Sequence, residues 1–191
     1  MDLGITDRAA PLIAAVKAMI ADEIAPVEAD HAAEVGRHPD GRLALTDRQV
    51  AIMAGLKADA RRRGLLNLWL TYGDRCHGLT SAEYADLAAE MGKPTLAAEV
   101  FNSAAPDACN MEALECFGTP AHQDRWLKPL FVGGIRSAYA MTEPDVASSD
   151  ATNIALQAVR DGGDDVLNGE LLWSSGAGGH ENAHEERGLD G

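Results

Sequence analysis

Two stretches in the last third of the chain bring together residue types that can hold a flat, charged ligand. The first runs from Arg136 to Asn153 and contains Tyr139, Met141, Thr142, Glu143 and Pro144, then Ser148, Ser149, Asp150, Thr152 and Asn153. Side-chain character alternates from Arg136 to Thr142 around Tyr139, which predicts a strand. Pro144 disfavours helical geometry at Glu143 and ends that strand in a turn. The short hydroxyl and amide side chains that follow leave backbone N–H groups free to meet a phosphate or the edge of an electron-rich ring. The second stretch is Trp173-Ser174-Ser175-Gly176. Trp173 offers a flat face for stacking, and Ser175, two residues on, falls on the same side of a strand. The same residues also fit an ordinary hairpin with one buried Trp and a serine-rich turn. Their ordered combination favours the ring site, since each piece alone is common.

The helical elements that must carry this region are marked by local signals. Leu12, Ile13, Val16, Met19 and Ile20 form a helical stripe over Asp7–Ile24, with Pro26 as the expected stop. Gly36, Pro39 and Gly41 make Ala29–Leu45 a loop. Thr46 with Gln49 and Thr80 with Glu83 match capping boxes, predicting helices over Asp47–Arg63, closed by Gly64, and from Ser81 to Gly92. Further helices are expected over Thr95–Asn102, over Ala108–Phe117, and from Pro120 to just before Pro129. Strands follow: Asn153–Arg160 and Val166–Leu167 around an Asp161-Gly162-Gly163 hairpin turn, then an Asn168-Gly169 turn into Leu171–Ser175. The fold class expected is α+β: an N-terminal all-α helical bundle followed by an incomplete antiparallel β-domain. The boundaries fall at 1–133 for the helical domain and 134–178 for the start of the β-domain. A polar tail at 179–191 is expected to be disordered.

Tyr139 to Asp150, with its Thr-Glu-Pro core, and the Trp173-Ser174-Ser175 strand resemble the flavin-contacting strand and loop of the acyl-CoA dehydrogenase family. The segments from Glu99 to Asp107, Asn110 to Glu112 and Gly118 to Leu130 resemble the same family. The loop Asp145–Ser149 is one residue longer than the family's usual form and lacks glycine, a variant found in a branch associated with long or unusual acyl chains. The resemblance covers about residues 1–178. It implies FAD-dependent α,β-dehydrogenation of fatty acyl-CoA thioesters, a step of β-oxidation. Tyr139, Met141 and Thr142 would line the flavin, Trp173 would cover it and Ser175 would lie near N5. Ser149 would reach the FAD pyrophosphate and the thioester end of the substrate. Glu143 belongs to the turn in the family, and Thr142 and Ser149 have turn capping as their alternative role. Expected partners are the acyl-CoA, an electron-transfer flavoprotein as acceptor and, in a complete protein, further copies of the chain.

The same resemblance places the α-proton base, a Glu, in a C-terminal helical domain. No catalytic residue is therefore assigned here, and the chain is expected to be a truncated copy, inactive alone. A non-catalytic remnant serving as a binding or oligomerisation module is the alternative. His180-Glu181-Asn182-Ala183-His184 matches a zinc-hydrolase helix motif. Glycines surround it and Glu185 or Glu186 could ligate only weakly, so a zinc hydrolase is the remote alternative and no metal site is expected. Arg61, Arg62 and Arg63 complement a helix C-terminus, and the adjacent Cys76 and His77 make a poor dyad.

With 30 acidic against 16 basic side chains the chain carries a formal charge of −14, which argues against nucleic acid and anionic membranes. Three cysteines without CxxC spacing point to a reducing compartment. The acidic Met1-Asp2-Leu3-Gly4 start resembles no signal peptide, and no apolar run is long enough to cross a membrane. Cytoplasmic residence is the expectation.

Overall fold

The computed structural model describes residues 4–37 and 43–174, with backbone only for Leu43 and Ala44. It divides into two units, Met1–Ile135 and Arg136–Gly191. The architecture is α+β: helices in the first unit, and a small antiparallel hairpin in the second.

In the first unit α1 (Ala9–Met19) buries Ala9, Ile13, Val16 and Met19 on one stripe and packs against α4 (Ser81–Met91). Pro26 does not end this first helix. A five-residue π-helical segment, Ile20–Ile24, leads directly into α2 (Ala25–Ala33), which has Pro26 in its first turn. The Ala25 N–H donates to the Ile20 carbonyl, five residues back. That wider turn takes the chain past a residue with no N–H of its own and a ring that crowds an ordinary turn. The expected loop is correspondingly shorter and contains a two-stranded antiparallel pair, β1 (Gly36–Arg37) with β2 (Leu43–Ala44).

Both capping boxes form. Thr46 caps α3 (Asp47–Arg62) and Thr80 caps α4, each with its reciprocal Gln49 or Glu83 contact. At the far end of α3, Gly64 has φ +68°, Gly64 N–H donates to Arg61 and Leu65 N–H to Ala60. That is the Schellman pattern, which glycine alone enters without Cβ strain. Next come α5 (Ala97–Val100), shorter than expected, and α6 (Asp107–Phe117). After Thr119, α7 (Pro120–His122) runs through a second π segment, Gln123–Leu127, into α8 (Lys128–Phe131). Pro129, like Pro26, is therefore inside a continuous helical run, and Lys128 N–H reaches back to Gln123.

The main core gathers α1, α3, α4 and α5 around fully buried Met19, Leu68, Leu87, Val100 and Phe101. A smaller cluster joins Met111, Leu127 and Leu130. Two buried asparagines, Asn67 and Asn102, lock this region in left-handed conformations, with φ +59° and +56°. Asn102 Nδ2 donates to Asn67 Oδ1 at 2.6 Å and to the Leu130 carbonyl at 3.0 Å. Asn67 Nδ2 donates to the Phe131 carbonyl at 2.7 Å. The end of α5 and the end of α8 are thus joined through side-chain amides.

In the second unit the hairpin is β3 (Ala158–Asp161) with β4 (Asp164–Leu167), turning on Gly162–Gly163 with Gly162 at φ +61°. Val159 faces Val166, and Arg160 pairs with Asp165. The strand expected over Arg136–Thr142 is absent as a named strand. Its ladder reduces to one antiparallel bridge, Thr142 with Leu172, in which Leu172 N–H donates to Thr142 at 2.7 Å. A strand exists only where a neighbour supplies hydrogen bonds, and Leu172 supplies the one that makes this bridge. Asn153 lies instead in a 3₁₀ turn, Ala151–Asn153, and β3 starts five residues later. Gly169 does not form the expected turn; a Cβ there would collide with the Leu156 side chain.

Candidate functional site

The Thr142–Leu172 bridge brings the two halves of the sequence motif together. It sets Thr142 and Met141, both half-buried, opposite the chain that leads into Trp173. Trp173 has φ +57° and is 86% exposed. A bulky side chain in the left-handed region is unusual, and its observed conformation presents a large aromatic surface to solvent instead of to a core. Tyr139, three residues before Thr142, is likewise exposed. Ser175 lies outside the described residues, as do His180 and His184. Among the described residues no group of three His, Cys, Asp or Glu side chains is placed to hold a metal ion.

The loop between Pro144 and Asn153 is shaped from within. Glu143 is buried, and its carboxylate accepts from the N–H groups of Ala155 at 2.8 Å and Leu156 at 2.5 Å. Its own N–H donates to the Ser148 hydroxyl at 2.9 Å, and Ser148 is buried. Asp150 caps the 3₁₀ turn by accepting from the Thr152 hydroxyl and N–H, and these bonds hold its carboxyl below the usual Asp range. Ser149 is exposed and makes no hydrogen bond among the described residues. The resemblance singles out Ser149 and not its neighbour, and the fold separates the two: Ser148 is tied inward, while Ser149 is exposed.

Elsewhere the candidates have structural roles. His77 Nε2 lies 2.9 Å from the Leu66 carbonyl. Arg62 pairs with Asp59, and Arg63 with Glu23. Tyr72 bridges Glu112 and Cys116, and its hydroxyl is pushed well above its ordinary range, chiefly by the Cys116 hydrogen bond, then by burial and Glu112. No helix among the described residues is long and apolar enough to cross a membrane.

No protein-family model matches the chain. It is 42% identical over 163 residues to acyl-CoA dehydrogenase family member 11 of Gallus gallus, covering 85% of this chain and 20% of that protein. It is 51% identical over 127 residues to the acyl-CoA dehydrogenase assigned as FadE2 of Mycobacterium tuberculosis, covering 66% and 30% respectively. Among solved structures, a protein assigned to the acyl-CoA dehydrogenases from Mycobacterium abscessus matches with TM-score 0.78 and 41% identity, over 95% of this chain and 48% of that one. The chain therefore spans less than half the length of each of these relatives.

Proposed function

From the premise that this chain belongs to the acyl-CoA dehydrogenase family, we propose that residues 139–174 form part of an FAD site. We further propose that the complete protein dehydrogenates a fatty acyl-CoA thioester between its α and β carbons. The observation that supports this best is the bridge that joins Thr142 to Leu172, next to a solvent-facing, left-handed Trp173. Free aromatic faces at Tyr139 and Trp173, with the unpartnered Ser149 hydroxyl nearby in sequence, are what a dinucleotide with a flat ring and a pyrophosphate requires. Bound FAD supplies the two-electron oxidation. In this reading Tyr139, Met141 and Thr142 line the ring, Trp173 covers it, Ser175 hydrogen-bonds near N5, and Ser149 meets the pyrophosphate and the thioester end of the substrate. None of these groups is assigned as the α-proton base. Both oxygens of Glu143, the carboxylate nearest the motif, are engaged by backbone N–H groups. The base comes from elsewhere in a complete family member. An electron-transfer flavoprotein and further copies of the chain are the partners that follow from the same reading.

Titrating FAD into the chain while following flavin fluorescence tests the proposal. Trp173→Ala should weaken binding by about 1–3 kcal/mol, the usual value of one aromatic stacking partner, or roughly five- to 150-fold in Kd. An unmodified chain that takes up no FAD, or a Trp173→Ala variant that binds as tightly, refutes the assignment for these residues.

A further inference from the structure

We infer that Glu143 is a positioning residue: its carboxylate clamps the base of the loop that carries Ser149, fixing the shape in which that loop meets a phosphate-bearing ligand. The inference rests on the FAD reading above for the identity of the ligand, but the clamp itself is geometric.

Glu143 is 8% exposed, in a unit whose hairpin strands are exposed on both faces. A carboxylate is removed from water only when hydrogen bonds replace its hydration. Here each oxygen takes one backbone donor, Ala155 on Oε2 and Leu156 on Oε1. These donors lie 12 and 13 residues along the chain, so one side chain closes everything from Pro144 to Ile154 into a single loop. The closure is reinforced inside by the Glu143 N–H to Ser148 bond, and outside by Leu156, whose side chain sits where a Cβ on Gly169 would fall. On the exposed side of the loop, the Thr152 N–H donates to Asp150 and Asn153 Nδ2 donates to the Ala147 carbonyl. Ser149 is left outward and unpartnered.

Order in this loop is thus obtained without the glycines that a tight phosphate loop commonly uses, by anchoring both its ends to one buried anion. Holding the donors in place before the ligand arrives removes the ordering penalty from binding. Glu143 would then act on affinity without touching the ligand.

The test uses the full chain and three variants, with two readouts. Amide hydrogen exchange reads the clamp directly, and flavin fluorescence reads FAD binding. Glu143→Gln keeps the size but offers one acceptor and one NH₂ to two N–H donors. It should raise exchange at Ala155 and Leu156 at least tenfold and raise the FAD Kd about tenfold, with the helical circular dichroism of residues 9–131 unchanged. Ser148→Ala should shift both readouts in the same direction by less. Ser149→Ala should weaken FAD while leaving exchange at Ala155 and Leu156 as in the parent. Unchanged exchange in Glu143→Gln overturns the clamp. Changed exchange with unchanged FAD affinity overturns the positioning role. A parent chain that takes up no FAD sinks the flavin reading instead, and the clamp is then judged by the exchange rates alone.

Discussion

Asn102 offers a prediction in which backbone strain and hydrogen bonding separate cleanly. Its amide nitrogen serves Asn67 Oδ1 and the Leu130 carbonyl, while its backbone holds φ +56°. Asn102→Gly keeps the backbone comfortable and strands one buried acceptor, Asn67 Oδ1, while the Leu130 carbonyl keeps its bond from the Gly133 N–H. The loss is about 1–3 kcal/mol, a large fraction of the roughly 5–15 kcal/mol that stabilises a typical domain. Asn102→Ala strands the same acceptor and adds a Cβ in the left-handed region, about 1–2 kcal/mol more. Asn102→Asp puts an acceptor where a donor stood, facing other acceptors, and should be the most damaging of the three. Urea unfolding followed by far-ultraviolet circular dichroism reads the helical unit directly. Pairing Asn102→Gly with Asn67→Gly should show a coupling of about 0.5–3 kcal/mol, since the two amides bond each other. A loss below about 1 kcal/mol for Asn102→Gly refutes the hydrogen-bond reasoning, and equal losses for the Gly and Ala variants refute the strain reasoning.

Further outcomes follow from other parts of the first unit. Glu83 accepts from Arg8, Thr6 and Thr80, and its carboxyl is lowered from 4.5 to about 2, chiefly by the Arg8 guanidinium. A depressed carboxylate stabilises the fold above its unfolded value, so this contribution should fade as pH falls below 4.5 and be gone below about 2. An acid titration of Glu83→Gln should lack that part of the slope; a parallel curve would contradict it. Gly55 lies inside α3 with open space where a Cβ would go, so Gly55→Ala should stabilise by about 0.5–1 kcal/mol. Gly64→Ala, equally uncrowded but at φ +68°, should destabilise by about 1–2 kcal/mol, and thermal melts of the two variants should therefore move in opposite directions. Phe101→Ala removes a fully buried ring and should cost about 3–5 kcal/mol by the same measurement.

What was legible in the sequence is what is decided locally. A capping box needs only four residues, so Thr46 with Gln49 and Thr80 with Glu83 set their helices where the sequence places them. Glu83's second role, gripping Thr6 and Arg8 more than 70 residues away, has no local trace. The Asn67–Asn102 pair is hidden for the same reason, with 35 residues between partners. Pro26 and Pro129 were misleading because proline forbids one hydrogen bond, not a helix, and a wider turn can absorb the loss. At the candidate site the residue types were readable, and the bridge that pairs Thr142 with Leu172 joins the two stretches the motif predicts. The inward turn of Ser148 and the left-handed backbone of Trp173 are set by contacts and torsions that residue type does not specify.

The two π segments have a consequence for how this chain tolerates insertion and deletion. A turn bonded five residues back stores one more residue than a turn bonded four back, so each π segment is in effect a single-residue insertion that the helix has swallowed. Removing one residue between Ile20 and Ile24 while replacing Pro26 with alanine should yield an uninterrupted α-helix whose later residues keep their facing. The same edit between Gln123 and Leu127 requires Pro129→Ala. Deletion made alone brings the proline ring against a tight turn. Shortening either helix is therefore coupled to the loss of its proline.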